Sequence, residues 1–239
     1  MRRRGVAMAY HGVADVDPAD DPAQLVCSPA QLEAHVRLLR RLGFRFLTAA
    51  QLLESNGGVE LPTRIAVLTF DDGWRDAVTT VAPLLDRLGV AATFYVCPGA
   101  LGATSADLAK PAWVGGEAGR LLDSSEVRAL ADAGMDVASH TLTHPDLRTL
   151  GDRELATELR DSRTAVEDLT GRRCETFAYP FGAQDARVRA AVAAAGYRLA
   201  WGWLPGPWDP LAAPRLPGPP RHGAPRLALK LAGVRRRNG

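Results

Sequence analysis

The sequence predicts an α/β fold, a parallel sheet with covering helices, built either as a closed barrel or as an open doubly wound sheet. Three observations predict it. Strand-like and helix-like segments alternate along the chain, with no repeated strand-strand signal of hairpins. Roughly seven strand segments can be counted, and the chain is somewhat short for eight full barrel units, which take ~250 residues. Several polar clusters each follow a predicted strand directly, where parallel α/β folds gather their active sites. The 239 residues, 46% of them hydrophobic, are enough for one large core or two small ones.

Taken in order, Val6-Ala7-Met8-Ala9-Tyr10 is a short apolar strand that runs into His11-Gly12. Asp15 to Pro22 is acidic and broken by proline, a surface loop. Ser28-Pro29 reads as an N-cap with proline at the first helical position, opening a helix that Gly43 stops. Residues 44–47 are strand-like, and Thr48 caps a short helix through Leu53. Ile65-Ala66-Val67-Leu68 is the central strand, ending at Thr69-Phe70-Asp71-Asp72-Gly73. Residues 75–88 carry a helical pattern that Pro83 should kink or delay, and residues 90–96 form the next strand. Residues 98–119 are Gly- and Ala-rich and irregular, a surface excursion placed to shape substrate access. Ser124 or Ser125 caps a helix, and Met135 to Ser139 is a strand with His140 at its end. Residues 152–169 are the strongest helix. Glu175-Thr176-Phe177-Ala178 is a strand ending at Tyr179-Pro180-Phe181-Gly182, residues 185–195 are a helix, and residues 197–201 the last clear strand. Prolines dominate from Leu204 onward, and the chain ends in Arg235-Arg236-Arg237.

The formal net charge of +2 argues neither for nor against an acidic partner, and no nucleic-acid motif is present. Cys27, Cys97 and Cys174 are scattered, without metal-type spacing or a disulfide framework, and read as small core residues. No apolar run approaches the ~20 residues of a membrane span. The basic start, Met1-Arg2-Arg3-Arg4, resembles the head of a signal peptide, but its apolar stretch is too short. We therefore expect a cytoplasmic protein, or a secreted or cell-envelope one whose export signal has been removed. The basic termini offer peripheral contact with an anionic surface, against the plainer reading of solvated ends.

Two adjacent carboxylates at the end of a buried strand repel each other and call for a cation, a proton or a substrate. Asp-Gly alone is ordinary turn chemistry. Two further stretches tip the balance. In Ser139-His140-Thr141-Leu142-Thr143-His144 the imidazoles stand at i and i+4, which on a helical turn share one face. With Asp72 they make a His₂Asp set that suits zinc, with cobalt, nickel or manganese as alternatives. Such a metal lowers the pKa of its water toward ~7, leaving Asp71 to act as general base. Pro180 stiffens the last cluster, whose Phe181 backbone N–H is a natural donor to an oxyanion. The plainer reading of that cluster is a simple turn.

These segments, in this order and spacing, resemble the polysaccharide deacetylases of the NodB-homology type, carbohydrate esterase family 4. Tyr10-His11-Gly12-Val13 and Ala92-Thr93-Phe94 are similar to the same family. The resemblance covers residues 6–216. It implies a distorted (β/α)7 barrel, with a catalytic domain over 1–216 and a Pro-rich, basic tail over 217–239. It also implies metal-dependent removal of N-acetyl groups from an amino sugar in a polysaccharide or glycoconjugate. Carried over, Asp71 is the general base, Asp72, His140 and His144 are metal ligands, and the Phe181 amide supports the oxyanion. Two departures stand out. The third motif, Phe177-Ala178-Tyr179-Pro180-Phe181-Gly182, lacks the arginine that orients the base in many members, and Arg215 is the candidate to supply that charge. The late Leu-x-His that protonates the leaving amine is also missing, since His222 sits in a poor match. The acid is then the metal's water, Asp71 once protonated, or His11.

Two other readings stay open: a glycan-binding relative without catalysis, and an amidohydrolase on another small C–N substrate. Of the tryptophans, Trp74 is placed to flank the cleft as a sugar platform. Trp113, Trp201, Trp203 and Trp208 read as core or as lying under the tail.

Overall fold

The computed structural model describes residues 5–17, 19–21, 23–58, 60–108, 119–203, 208–218 and 227–228. The expectations for Trp113, His222 and the basic termini fall outside them, as does most of the proposed tail. In chain order the elements are β1 (Val6–Tyr10), β2 (Gly12–Val13), β3 (Val26–Cys27), α1 (Pro29–Arg41), β4 (Arg45–Phe46), α2 (Ala49–Asn56) and β5 (Ile65–Phe70). There follow α3 (Ala82–Arg87), β6 (Thr93–Val96), α4 (Ser124–Asp132), β7 (Asp136–Ser139), α5 (Asp152–Thr170) and β8 (Thr176–Ala178). The last are α6 (Ala186–Ala194), β9 (Leu199–Gly202), β10 (Ala213–Pro214) and β11 (Leu216–Pro217).

Local sequence explains most boundaries. Ser28 caps α1 in a reciprocal box with Gln31, with Pro29 in the first turn, where its missing N–H costs nothing. Thr48 and Gln51 do the same for α2, which runs three residues past the expected Leu53 to a left-handed Gly57. The cap of α4 is Asp123, boxed with Glu126, so the expected Ser124 and Ser125 both lie inside the helix. Pro83 does delay its helix. A wide π turn over Ala77–Val81 precedes α3, absorbing the hydrogen bond the proline cannot donate. The Val90 amide closes α3 on the Leu85 carbonyl, which is why β6 starts only at Thr93.

Among the described residues every strand pairing in the main sheet is parallel, in the order β9, β8, β7, β6, β5, β1. One segment joins the two ends. β10 pairs with β9 through Ala213↔Trp201 and Pro214↔Gly202. β11 pairs with β1 through Met8↔Leu216 and Ala9↔Pro217. Residues 213–217 thus bridge the last and first strands and complete a distorted (β/α)7 barrel, with Arg215 at the centre of the bridge. The sequence predicts a strand over 44–47 and, from Leu204 onward, proline-dominated chain with no strand. β4 is instead a two-residue piece that pairs with β5 off the ring. The prolines hid the true closing strand. Among the described residues each half of the bridge pairs on one side only, so Pro214 and Pro217 forfeit no described ladder bond on the other. The Gly218 amide continues the contact, donating to the Ala9 carbonyl at 2.6 Å, and Leu227 is buried against the core.

Alternation along β5 divides two environments. Phe70 stacks between Tyr10 and Phe94 of the neighbouring strands, with ring centroids 5.2 and 5.0 Å apart. Thr69 and Asp71 face the other way and both meet Arg215. Trp201 lies inside the barrel, its indole N–H donating to the Tyr95 hydroxyl at 2.6 Å. The three cysteines are buried thiols, as expected. No helix among the described residues is long and apolar enough to cross a membrane.

Asp76, at the start of the π turn, accepts the Val13 amide and so ties β2 to the helix that follows β5. Burial pushes its carboxyl up to about 7, against the lowering effect of the Val13 and Ala77 amides. The folded protein therefore keeps a proton that the unfolded chain releases near pH ~4. Stability should fall as pH rises from about 4 through about 7 and level off above. Asp76→Asn keeps an acceptor for Val13, so it should raise the melting temperature at about pH 8 and leave it nearly unchanged at about pH 4. Thermal melts of both proteins across this range check the expectation, and equal slopes would contradict it.

Candidate active site

The ends of β1, β5, β7 and β8 open on one face of the barrel, as parallel strands require. Asp71 leaves β5 on its inner face, and Arg215 meets it head on. Nη1 donates to Oδ1 at 2.7 Å and Nη2 to Oδ2 at 2.8 Å, while Nη1 also reaches the Thr69 hydroxyl at 2.9 Å. Both partners are only 2% exposed. Burial alone would raise the Asp71 carboxyl. The Arg215 charge, helped by His140, the Arg215 hydrogen bonds and His11, outweighs it and holds the carboxyl below its ordinary value.

Asp72 departs in another direction because its backbone is left-handed, at φ +76°. Its Oδ1 stands 3.4 Å from His140 Nε2 and 3.3 Å from His144 Nε2, and its Oδ2 accepts the Trp74 indole N–H at 3.2 Å. One ligand atom from each of these three buried residues lies within 4.8 Å of the others. The Nδ1–H of His140 donates to the Ala178 carbonyl at 2.7 Å, which fixes the tautomer and turns the Nε2 lone pair toward Asp72. One carboxylate oxygen and two imidazole nitrogens converging in a buried space can hold a borderline divalent cation.

The two imidazoles share a side, but not through a helical turn. The loop from 140 to 144 reverses with Thr141 at φ +71° and His144 at φ +65°. The Thr141 hydroxyl accepts the His144 amide at 2.9 Å, and the Glu158 carboxylate accepts the Leu142 amide at 2.8 Å. Among the described residues, six non-glycines have positive φ; Asp72, Thr141, His144 and Phe181 belong to this site and Gln24 lines its cavity. Such backbones cost ~1–3 kcal/mol each and survive only where the surroundings impose them.

The cavity has a volume of about 310 Å³, with His11, Asp71, His140, His144, Phe181 and Trp203 among its walls. Phe181, at φ +58°, sets its ring edge-on to His144 with centroids 4.8 Å apart, and is 52% exposed. His11 stacks on Trp203, with centroids 6.1 Å apart, and the Arg215 guanidinium lies 5.1 Å from the same indole. The sequence reading placed Trp203 in the core or under the tail; it is a cavity wall. Trp74 is corrected in the opposite sense. At 2% exposure it backs Asp72 from below and offers no face to a sugar. Trp201 is buried, as expected, and Trp208 is partly buried with its indole N–H on the Gly58 carbonyl at 2.9 Å. Glu158 was missed altogether. An acidic residue in mid-helix carries no local signal of a loop packed beside it.

A family model for polysaccharide deacetylase matches residues 58–200. YxkH of Bacillus subtilis (strain 168), which carries a polysaccharide deacetylase name, is 22% identical over 193 residues, 80% of this chain and 62% of its own length. The poly-beta-1,6-N-acetyl-D-glucosamine N-deacetylase of Escherichia coli (strain K12) is 38% identical over 81 residues, 34% of this chain and 12% of its own. The chain therefore spans less than two thirds of either relative. Among solved structures, the Streptococcus pyogenes deacetylase PplD in complex with acetate superposes with a TM-score of 0.78 at 21% identity, covering 97% of this chain and 99% of that one. At that identity the likeness bears on the fold.

The Asp71–Arg215 pair gives a direct expectation. Arg215→Met removes the cation and leaves a buried carboxylate, so denaturant titration at neutral pH should show a loss of ~3–5 kcal/mol. The loss should shrink as pH falls through the carboxylate range and Asp71 takes up a proton. A loss that does not vary with pH would mean the pair matters for packing alone.

Proposed function

The chain belongs to the polysaccharide deacetylase family, and we propose that it is a metal-dependent hydrolase that removes N-acetyl groups from an amino sugar in a glycan. One observation carries this reading. Two adjacent buried carboxylates have separate partners, Asp71 with Arg215 and Asp72 with His140 and His144. One is thereby kept for proton transfer and the other for a cation. The Escherichia coli relative's substrate, a polymer of N-acetylglucosamine, supports the choice of sugar.

Asp72, His140 and His144 would hold the cation, and the donor set favours zinc, with cobalt, nickel or manganese as alternatives. When bound, the cation supplies a Lewis acid for the acetamide carbonyl and an acidified water. Asp71 takes the proton of the attacking water as general base. It is available for this because the Arg215 charge keeps its carboxyl ionised despite burial. Arg215 acts through Asp71. Its two parallel hydrogen bonds fix the plane of the carboxylate, which makes it a positioning residue. The Phe181 amide donates to the developing oxyanion. His11, in the cavity wall, gives a proton to the leaving nitrogen, so that the C–N bond breaks to a free amine and acetate.

Asp71→Asn should lower acetate release from N-acetylglucosamine oligomers by at least ~10², with metal content unchanged. His11→Ala should lower turnover by ~10²–10⁴, again without loss of metal. Stripping the protein with a chelator should abolish acetate release, and added zinc should restore it. Acetate assays paired with metal analysis of each variant check all three. Full activity in Asp71→Asn would refute the reading.

A further inference from the structure

Glu158 stands on α5, outside the cavity, yet it organises the loop between two of the proposed ligands. Its Oε2 accepts the amides of Leu142 and Thr143 at 2.8 and 2.9 Å, and its Oε1 accepts the Thr143 hydroxyl at 2.6 Å. On the other side of the same loop, the Gly99 amide donates to the Leu142 carbonyl at 2.9 Å. The approach is so close that a Cβ on Gly99 would come within 2.7 Å of that oxygen. The peptide midway between His140 and His144 is therefore held at its amide by α5 and at its carbonyl by the segment after β6. Thr141 and His144 both occupy the left-handed region, which a branched or bulky residue does not adopt unaided. The fold must impose that path, and three of the described contacts that do so end on this one carboxylate.

We propose that Glu158 is a positioning residue for the cation site, fixing the separation and facing of the two imidazoles before any cation arrives. The proposal rests on reading Asp72, His140 and His144 as the ligands. What matters here is the geometry of the acceptor. The carboxylate charge points at backbone amides and a hydroxyl, and each of those contacts can be made by a neutral amide group of the same shape. A glutamine can place its oxygen on the two amides and its NH₂ on the Thr143 hydroxyl, which then acts as acceptor.

The test uses the full chain with zinc alone as the probe. Affinity is read by competition with a chromophoric chelator, and amide hydrogen exchange is read on the metal-free protein. Glu158→Ala should weaken zinc binding by ~10–100-fold, the usual effect of losing an outer-shell partner. It should also speed exchange at Leu142 and Thr143 in the metal-free protein. Glu158→Gln should restore both to near the wild-type values. Wild-type affinity in Glu158→Ala would overturn the proposal, and so would a Glu158→Gln variant as weak as the alanine one, because charge would then be the operative property. If Glu158→Ala does not fold, Thr143→Val decides. That exposed substitution removes only the Oε1 contact and should cost several-fold in affinity; no change would overturn the proposal. A wild-type chain that binds no zinc would fell the ligand reading itself, a result distinct from any difference between variants.

Discussion

Two carboxylates on consecutive residues, each at most 2% exposed, set the problem that this fold solves. Side by side and ionised, they would repel in a poorly screened space. A change of backbone hand between them separates them. Asp71 follows the strand and points at Arg215, and Asp72 turns through φ +76° to face two imidazoles and an indole. Each carboxylate acquires its own partners, and the left-handed Gly73 behind them lets the chain pack against Val96. The barrel brings four strand ends to one face, but this divergence gives the two neighbours different chemistry.

Much of the site was legible because it sits where strand periodicity ends. Asp71, Asp72, His140 and Phe181 each follow an apolar run, and parallel topology alone predicts that such positions converge. What stayed hidden depends on contacts with no local signature. The closing strand around Arg215 is one: two prolines argue against it, and only the family resemblance singles out Arg215 as the charge beside Asp71, 144 residues away. The i, i+4 imidazoles suggested a helical turn. The loop reaches the same convergence through left-handed residues that nothing in Thr141-Leu142-Thr143 announces. The tryptophans show the limit from another side. Trp74 and Trp203 each come just after a strand, yet one is sealed beneath Asp72 and the other walls the cavity, because burial is decided by which elements cover a ring.

The polar groups that converge on the cavity are themselves held by outer contacts. Ala178 orients His140, Trp74 supports Asp72, and Thr141 and Glu158 shape the loop that delivers His144. Trp203 touches both His11 and Arg215, and Gly182 packs so tightly on it that a Cβ there would fall 1.7 Å from the indole. The turn that carries Phe181 is thereby registered against the same ring. Left-handed backbones at Asp72, Thr141, His144 and Phe181 are tolerated because these outer contacts leave them no relaxed alternative.

The bridge over residues 213–217 ties the order of synthesis to the order of assembly. Asp71, Asp72, His140 and His144 leave the ribosome long before Arg215 does. Until that bridge docks, β1 and β9 are raw sheet edges and the Asp71 carboxylate has no cation beside it. Pairings this distant along the chain form late, after loop closure has been offset by other contacts. The stroke that seals the barrel is therefore the same one that gives Asp71 its cation, and a nascent or clipped polypeptide short of it carries the two carboxylates and both imidazoles without that partner.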